Sequence, residues 1–499
     1  MKRTDTFNLL FLFAAIVIIF YPVFYTEYLY TDEASQLWYF KDGLNFHASV
    51  PQGRFLTYKI FEFVFSHIKT IHGVIYSRIF SLAGWILCIP VWYFIINKII
   101  EKNNLPKIFT LLSLIYLISM PPFAISIGWA SCMELFVACT SGLVSGYILY
   151  NSIKYNGNLV HVSTTAILLS IVFGVASLFT YQNGFGCFFI PFFIQFIAAK
   201  KFSKNINIGL GFSLMIYVFY FILFKYSLRT NGMEASARST FAINPINKII
   251  FLFTRPLATA FHFTCLFNEE NIFGEIVYMI LAAIWLLIYF INQKSKSVIN
   301  KLSFLFGIII FFVLIYLPSL IVQENYSSNR TLLALNFVTL LLLAETFFSL
   351  IKKEKLQFII ATILSLMFII NGWYNFNNQF SKPLSKEYSL LKNFVLNNYT
   401  PHTTAIYFIQ PAENTFEKKY GITRSWDEFG VPSTAKKWAP EPLIKQMIFE
   451  KTGNREMAEK LIVMTWKDEE AFQQSGKNIS KEVLFIDFDK MLSAYQLSL

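Results

Sequence analysis

The stretch YTDEASQLWYF, residues Tyr30–Phe40, places two adjacent carboxylates, Asp32 and Glu33, directly after the first long apolar run of the chain. A few residues later the sequence VPQGR ends at Gly53 and Arg54. The whole chain is 55% hydrophobic and only 14% charged, whereas soluble proteins carry about 25% charged residues. This composition predicts a polytopic membrane protein, and a paired acid at the mouth of its first span needs an explanation.

Eleven apolar runs are candidate membrane spans, because a span needs about 20 apolar residues. An alternating path through them puts the N-terminus in the cytoplasm, gives each inner loop at least one cation, and leaves the C-terminus outside. The two long outer loops are then 27–70, with an interfacial helix at Phe55–Ile68, and 227–272, with a helix capped by Asn244. The runs lie at about 7–25, 72–96, 107–121, 128–150, 162–180, 184–199, 206–226, 273–292, 302–322, 331–351 and 356–374.

The net charge of +12 comes almost entirely from the membrane part, which holds 26 Lys and Arg against 15 Asp and Glu before residue 375. This pattern reflects the positive-inside rule and gives no nucleic-acid footprint. Of the cations on the predicted inner side, only Arg3 is an arginine, whereas six of the eleven outer cations are. Because arginine is the better residue for bidentate phosphate binding, the functional charges are predicted on the outer face, with chance and structural ion pairs as the alternative.

The C-terminal segment 375–499 is polar and is predicted to form a small α/β domain on the outer side, after a transmembrane domain 1–374. Thr404–Ile409, Leu461–Thr465 and Val483–Phe488 have the pattern of short buried strands. Ser385 is predicted to cap a helix that runs to Asn398. The predicted fold class is therefore an α-helical polytopic membrane protein with a small C-terminal α/β domain.

Asp32 and Glu33 are the first candidates for chemistry, since a carboxylate can act as general base for a sugar hydroxyl. Adjacent side chains point in different directions, so one would be the base and the other would position a hydroxyl or pair with Arg54. The ordinary alternative is a solvated acid pair or a salt bridge to Arg54. Glu134, inside a predicted span, is either the floor of a cavity or a side chain bonded to a neighbouring helix.

Arg330 begins the tenth predicted span within the sequence QENYSSNR, where a guanidinium beside hydroxyl and amide donors suits a phosphate at the membrane surface. The alternative is an anchor that snorkels to the interface. No HExxH motif or paired cysteine spacing indicates a metal, and the sequence leaves open a divalent ion held by carboxylates. The further polar candidates for the substrate cavity are Gln52, Tyr181, Gln182, Asn183, Arg238, Arg255, His262, Tyr326 and Asn329.

The outer loop with Thr31-Asp32-Glu33 and Gly53-Arg54-Phe55-Leu56 resembles that of the GT-C glycosyltransferases, as do Met133-Glu134 and Ser328-Asn329-Arg330. Within that superfamily the chain looks most like the bacterial O-antigen-modifying, serotype-converting glucosyltransferases. The resemblance covers the layout of the whole chain through short motifs, and it covers the C-terminal domain only by position. The adjacent Asp and Glu depart from the family pattern and leave open which is the base.

The resemblance implies an inverting transfer of a hexose from a polyprenyl-phosphate donor to a surface glycan such as O-antigen. Glucose is the hexose that the resemblance favours. It also implies a periplasmic site in the bacterial inner membrane, no required cofactor, and association with a donor synthase and a flippase. Asp32 or Glu33 would be the base, and Arg54, Arg255 and Arg330 would hold the donor phosphate. The alternatives are an O-antigen polymerase or ligase, whose large outer loop lies late in the chain, and a lipid-linked glycan transporter or flippase.

Overall fold

A computed structural model describes residues 3–40, 44–156, 159–236, 240–268, 272–293 and 297–494. Within these residues eight helices are long and apolar enough to cross a membrane, which makes the chain a helical multi-pass membrane protein. They are Thr4–Phe24, His72–Lys102, Ala130–Ser152, Gln182–Ala199, Lys204–Thr230, Ile272–Asn292, Val298–Ile315 and Glu354–Asn398.

Three further apolar segments lie at predicted spans. Two are shorter helices, Thr164–Thr180 and Leu333–Ser349. The third is a pair of helices, Ile108–Ser119 and Pro121–Gly128, which meet at a bend of 48°. The bend follows from the sequence, because a residue that precedes proline avoids the helical conformation, and Met120 is extended with ψ 151°.

The last apolar helix continues into the C-terminal part without a break. Its regular part ends at Tyr374, a wide π turn follows over Asn375–Ser381, and a regular helix resumes at Lys382–Asn398. The prediction that Ser385 caps a new helix is therefore wrong. Packing contributes to this wide turn, since Asn377 Nδ2 donates to the Ile19 carbonyl of the first span at 3.1 Å as well as to the Trp373 carbonyl of its own helix at 2.9 Å.

The C-terminal part contains a parallel sheet of three strands, Ala405–Ile409, Ile462–Trp466 and Val483–Asp487, with the first strand in the centre. The predicted strands are confirmed to within one or two residues, because these short apolar runs are bounded by polar turns. The crossovers carry helices, as parallel pairing requires. The helices of this part are Thr415–Tyr420, Ser433–Ala435, Pro440–Thr452, Arg455–Lys460, Glu469–Gln474 and Phe488–Ala494.

Short helices make up most of the connections among the apolar segments. As predicted, Asn244 caps its helix, since its Oδ1 accepts hydrogen bonds from the backbone N–H groups of Ile246 and Asn247. The connecting helices are Asp32–Trp38, Leu44–Ser49, Phe55–Phe65, Pro245–Thr254, Pro256–Phe261, Leu317–Ile321 and Asn329–Thr331, and a two-stranded ribbon pairs Lys154–Asn156 with Leu159–His161. The short helical turns Tyr21–Phe24, His72–Val74 and Ala130–Cys132 are the ends of three of the apolar helices.

The first loop and the C-terminal part are joined directly. Helix Asp32–Trp38 packs against helix Pro440–Thr452. Ahead of it, the Thr31 backbone N–H donates to Ser433 Oγ at 2.7 Å. At its end, Arg455 donates to the Trp38 carbonyl at 2.6 Å. The position of the acidic pair is therefore fixed from both sides.

Candidate functional site

A cavity of about 440 Å³ lies where the first loop meets the ends of several apolar helices. This volume is typical of sites for small molecules and cofactors. Nine of the predicted site residues line it, so the structure brings together polar groups from four separate regions of the sequence. They are Asp32, Gln52, Arg54, Glu134, Tyr181, Gln182, Asn183, Tyr326 and Arg330.

Part of the cavity wall is aromatic and apolar. It contains Tyr217, Phe221 and Phe224 of helix Lys204–Thr230, together with Phe241. Phe221 and Phe241 are 41% and 63% exposed. Helix Lys204–Thr230 exposes further large apolar side chains, which are Leu214, Val218, Phe219, Ile222, Leu223 and Tyr226. In a membrane such surface faces lipid. The cavity is therefore amphipathic, with a charged side and a side continuous with the lipid-facing surface.

Asp32 stands at the charged side of the cavity, on a strained piece of backbone. Thr31 adopts φ 42° and ψ −99°, a conformation that non-glycine residues rarely occupy and that persists only where surrounding contacts hold it. Helix Asp32–Trp38 begins immediately after it. The Asp32 carboxylate accepts a hydrogen bond from Trp438 Nε1 at 2.8 Å. The carboxylate is therefore held at the edge of the cavity, which Asp32 lines.

Glu33, by contrast, is fully buried and is not among the residues that line the cavity. Its carboxylate accepts a hydrogen bond from Arg78 Nη2 at 2.6 Å. It also accepts hydrogen bonds from the backbone N–H groups of Tyr30 at 2.8 Å and Ala130 at 2.6 Å. Burial raises the pKa of Glu33, and the adjacent Arg78 guanidinium opposes that rise. The alternative that Glu33 forms a salt bridge to Arg54 is therefore wrong, because Glu33 is bonded to Arg78 instead.

Arg54 is held at the cavity wall by a network around the Gly53 turn. Its Nε donates to Gln182 Oε1 at 3.1 Å, and its guanidinium lies over the Tyr181 ring at 4.4 Å. The turn needs glycine because Gly53 has φ +76°, and a Cβ there would lie 2.1 Å from the Tyr220 hydroxyl. The same hydroxyl donates to the Gly53 carbonyl at 3.2 Å.

Arg330 is stacked between aromatic rings at the cavity. Its guanidinium lies 4.7 Å from the centre of the Trp129 ring and 5.3 Å from that of Tyr326, whose hydroxyl it contacts. Glu428 faces it from the C-terminal part, with 3.6 Å between the Arg330 Nε and the carboxylate. The same carboxylate accepts the Asn329 backbone N–H at 2.7 Å. These contacts fix the orientation of a cation that is 16% exposed to the cavity.

Glu428 is fully buried behind Arg330. Burial raises its pKa to about 7, although Arg330 acts in the opposite direction. Near neutral pH this carboxylate therefore titrates, and the charge that balances Arg330 changes with it.

Glu134 lies at the cavity with an incomplete set of hydrogen bonds. It is 1% exposed, and its Oε2 has no hydrogen-bond partner among the described residues. A buried polar atom without a partner is costly, and such groups in natural proteins commonly serve a ligand. Glu134 is therefore positioned to accept a hydrogen bond from a bound molecule.

Besides Glu33, three predicted residues that the structure describes lie outside this cavity. Arg255, His262 and Asn329 line a separate, smaller cavity of about 50 Å³. That cavity lies beside the break between helices Pro245–Thr254 and Pro256–Phe261, so Arg255 and Arg330 do not share one site. Arg238 lies outside the described residues.

Three residues that shape the site were absent from the predictions: Arg78, Glu428 and Trp438. Arg78 carried a signal, because a lone arginine in an apolar run needs a partner. Glu428 and Trp438 carried none, since each lies about 100 or 400 residues from the group it contacts.

Taken together, the fold and cavity define a multi-pass membrane protein with an amphipathic, charged site at its helix ends. Neither a protein-family model nor a curated protein matches the chain. Function must therefore be inferred from the cavity and its residues.

Proposed function

We propose that the chain is an inverting membrane glycosyltransferase of the GT-C type. Its donor is a polyprenyl-phosphate-linked hexose, and the hexose that we propose is glucose. The observation that supports this function is one cavity that combines a carboxylate, two arginines and an apolar wall. A polyprenyl-phosphate sugar has three matching parts, which are a polar ring, an anionic phosphate and an isoprenoid chain. The acceptor is a surface glycan such as O-antigen, itself carried on a lipid.

Asp32 is the general base in this proposal. It takes the proton from the acceptor hydroxyl while that oxygen attacks the anomeric carbon, and the bond from that carbon to the phosphate oxygen breaks. Polyprenyl phosphate leaves with the electron pair, and the configuration at the anomeric carbon inverts. Glu33 is unsuited to the role because Arg78 and two backbone N–H groups already occupy its oxygens.

Arg330 and Arg54 bind the donor phosphate. Both guanidiniums are oriented by aromatic stacking, which leaves N–H groups for a phosphate oxygen. Because the phosphate gains charge as it leaves, two fixed cations stabilise the transition state more than the ground state. Glu134 accepts a hydrogen bond from a hydroxyl of the donor sugar.

The isoprenoid chain lies along the apolar wall formed by Phe221, Phe224 and Phe241. No comparable apolar wall is needed for a nucleotide-sugar donor, whose leaving group is polar throughout. The lipid bilayer is therefore itself a partner of the reaction, since the donor reaches the site without leaving it.

The proposed topology has eleven spans, with the bent pair and both shorter apolar helices counted as crossing. The N-terminus is then cytoplasmic, and the cavity and C-terminal α/β domain face the periplasm of a bacterial inner membrane. In this topology Arg54 and Arg330 lie on the outer side, where arginine is in excess among the cations before residue 375. Soluble nucleotide-sugars are absent there, so a separate synthase and a flippase must supply the donor.

Transfer by the purified full chain in lipid nanodiscs tests this proposal. Polyprenyl-phosphate glucose and a lipid-linked O-antigen acceptor should give a glucosylated acceptor with inverted anomeric configuration by NMR, and UDP-glucose should give none. Transfer of a whole glycan chain would indicate a polymerase or ligase instead. Movement of lipid-linked glycan across the bilayer without a new glycosidic bond would indicate a flippase.

A further inference from the structure

The cavity is large enough for a donor headgroup, whereas a polymeric acceptor must extend beyond it. The surface just outside Asp32 therefore decides how an acceptor approaches. That surface belongs to the contact between helix Asp32–Trp38 and the residues that precede helix Pro440–Thr452.

Trp438 occupies this surface. Its indole N–H donates to Asp32, and its backbone carbonyl accepts a hydrogen bond from Ser35 Oγ at 3.3 Å. The ring is nevertheless 52% exposed. Among the described residues of 375–494 it is the one large aromatic side chain that is exposed, the other large exposed apolar residues there being Ile462 and Ile479.

Tyr39 extends the same surface. It lies four residues after Ser35 at the end of helix Asp32–Trp38 and is 48% exposed. Burial and the nearby Glu441 carboxylate raise the pKa of Tyr39. Because Glu441 lies three residues after Trp438, Tyr39 is close to the segment that carries Trp438. Gln36 lines the cavity, and its Oε1 accepts a hydrogen bond from the Ser131 hydroxyl at 3.1 Å. These polar groups lie between the aromatic surface and the cavity interior.

An indole ring that has one polar contact and an exposed face suits a sugar ring, which has apolar C–H faces and a polar rim. Such a ring offers a large contact area at little conformational cost. Fixed beside the carboxylate by its N–H group, Trp438 would place a stacked sugar next to Asp32.

We infer that Trp438, with Tyr39 beside it, is the binding platform for the acceptor glycan and that its indole N–H positions Asp32. This inference rests on the proposed function for the identity of the acceptor. It makes the C-terminal part a contributor to acceptor recognition, through a side chain about 400 residues away from the acid in sequence.

Two substitutions separate the ring from its N–H group. Trp438→Phe keeps an aromatic face and loses the donor, so the acceptor KM should stay within about twofold while kcat falls about tenfold, the equivalent of one hydrogen bond to a charged group. Trp438→Ala also loses the face, so the acceptor KM should rise about tenfold. The donor KM should not change in either variant, and Ile479→Ala, an exposed apolar control, should match the wild type.

Direct binding provides a readout that does not depend on catalysis. Oligosaccharide repeat units released by mild acid from the producing cell's surface glycan are titrated calorimetrically into the full chain in nanodiscs. Binding should be retained in Trp438→Phe and weakened about tenfold in Trp438→Ala. Equal affinity in wild type and Trp438→Ala would overturn the platform, whether or not transfer occurs. Absent transfer by the wild type with binding lost only in Trp438→Ala would instead contradict the proposed reaction.

Discussion

Two groups of acid and arginine side chains, built on the adjacent acids Asp32 and Glu33, have opposite environments. Glu33 and Arg78 form a sealed pair, 0% and 1% exposed, whose oxygens are occupied by protein donors. Asp32 borders a cavity that also contains Arg54 and Arg330. Only the second group can accept a ligand. Burial therefore gives two adjacent acids different roles. Glu33 forms a structural ion pair, and Asp32 is available for chemistry.

The largest expected effect is on catalysis, from Asp32→Asn. The amide can still accept the Trp438 N–H but cannot take a proton, so the transfer rate should fall about 10²–10⁴-fold. The unfolding temperature should stay unchanged, and Glu33→Gln should keep its rate per folded molecule. If Asp32→Asn transfers sugar at the wild-type rate, the assignment of the two acids fails.

A large effect on stability is expected from Glu33→Ala, because it leaves Arg78 buried without its carboxylate. Loss of one partner of a buried ion pair costs about 3–5 kcal/mol, which thermal unfolding in detergent would detect. The matched control is Glu62→Ala, which breaks an exposed pair with Lys59 and should cost at most about 1 kcal/mol. Equal unfolding temperatures for the two variants would contradict the structural role of the ion pair between Glu33 and Arg78.

A smaller effect is expected at the phosphate site. Arg330→Lys keeps the charge but loses the planar, bidentate geometry, so the donor KM should rise about tenfold. Arg255→Lys is the control, since Arg255 lines the other cavity, and its donor KM should match the wild type. A higher donor KM in Arg255→Lys alone would move the phosphate to the smaller cavity.

A pH-dependent effect on stability is expected at Glu428, which lies between the two environments because it is buried like Glu33 yet faces a cavity arginine. Its pKa is raised from 4.5 to about 7. The stability that a raised carboxyl pKa contributes is complete below the ordinary value and is lost as pH rises through the folded value. Between about pH 5 and about pH 8, wild-type stability should therefore fall relative to Glu428→Gln, whose amide does not titrate. Parallel pH profiles of unfolding temperature would rule this out.

Much of the architecture was predictable because apolar length and period are local signals. The apolar runs, the strands and the Asn244 cap follow from a few neighbouring residues each. The site was predictable in part, since polar groups at helix ends such as Arg54, Glu134 and Arg330 stand out in an apolar chain. Their gathering into one cavity required only that the helix ends meet.

The remaining features depend on contacts between distant residues. The different roles of Asp32 and Glu33 depend on the strained backbone of Thr31 and on the ion pair between Glu33 and Arg78. The sequence around the two acids indicates neither feature. The continuous helix through Asn375–Ser381 depends on packing against other segments. Arg255 looked equivalent to Arg330 by charge and side, and only the three-dimensional arrangement separates them.

The most direct test is a cryo-electron microscopy structure of the full chain in nanodiscs with polyprenyl phosphate. The account predicts phosphate density in the larger cavity, within hydrogen-bonding distance of Arg54 and Arg330, and isoprenoid density along Phe221 and Phe241. Phosphate density in the smaller cavity at Arg255, or an isoprenoid chain on another face of the protein, would contradict it.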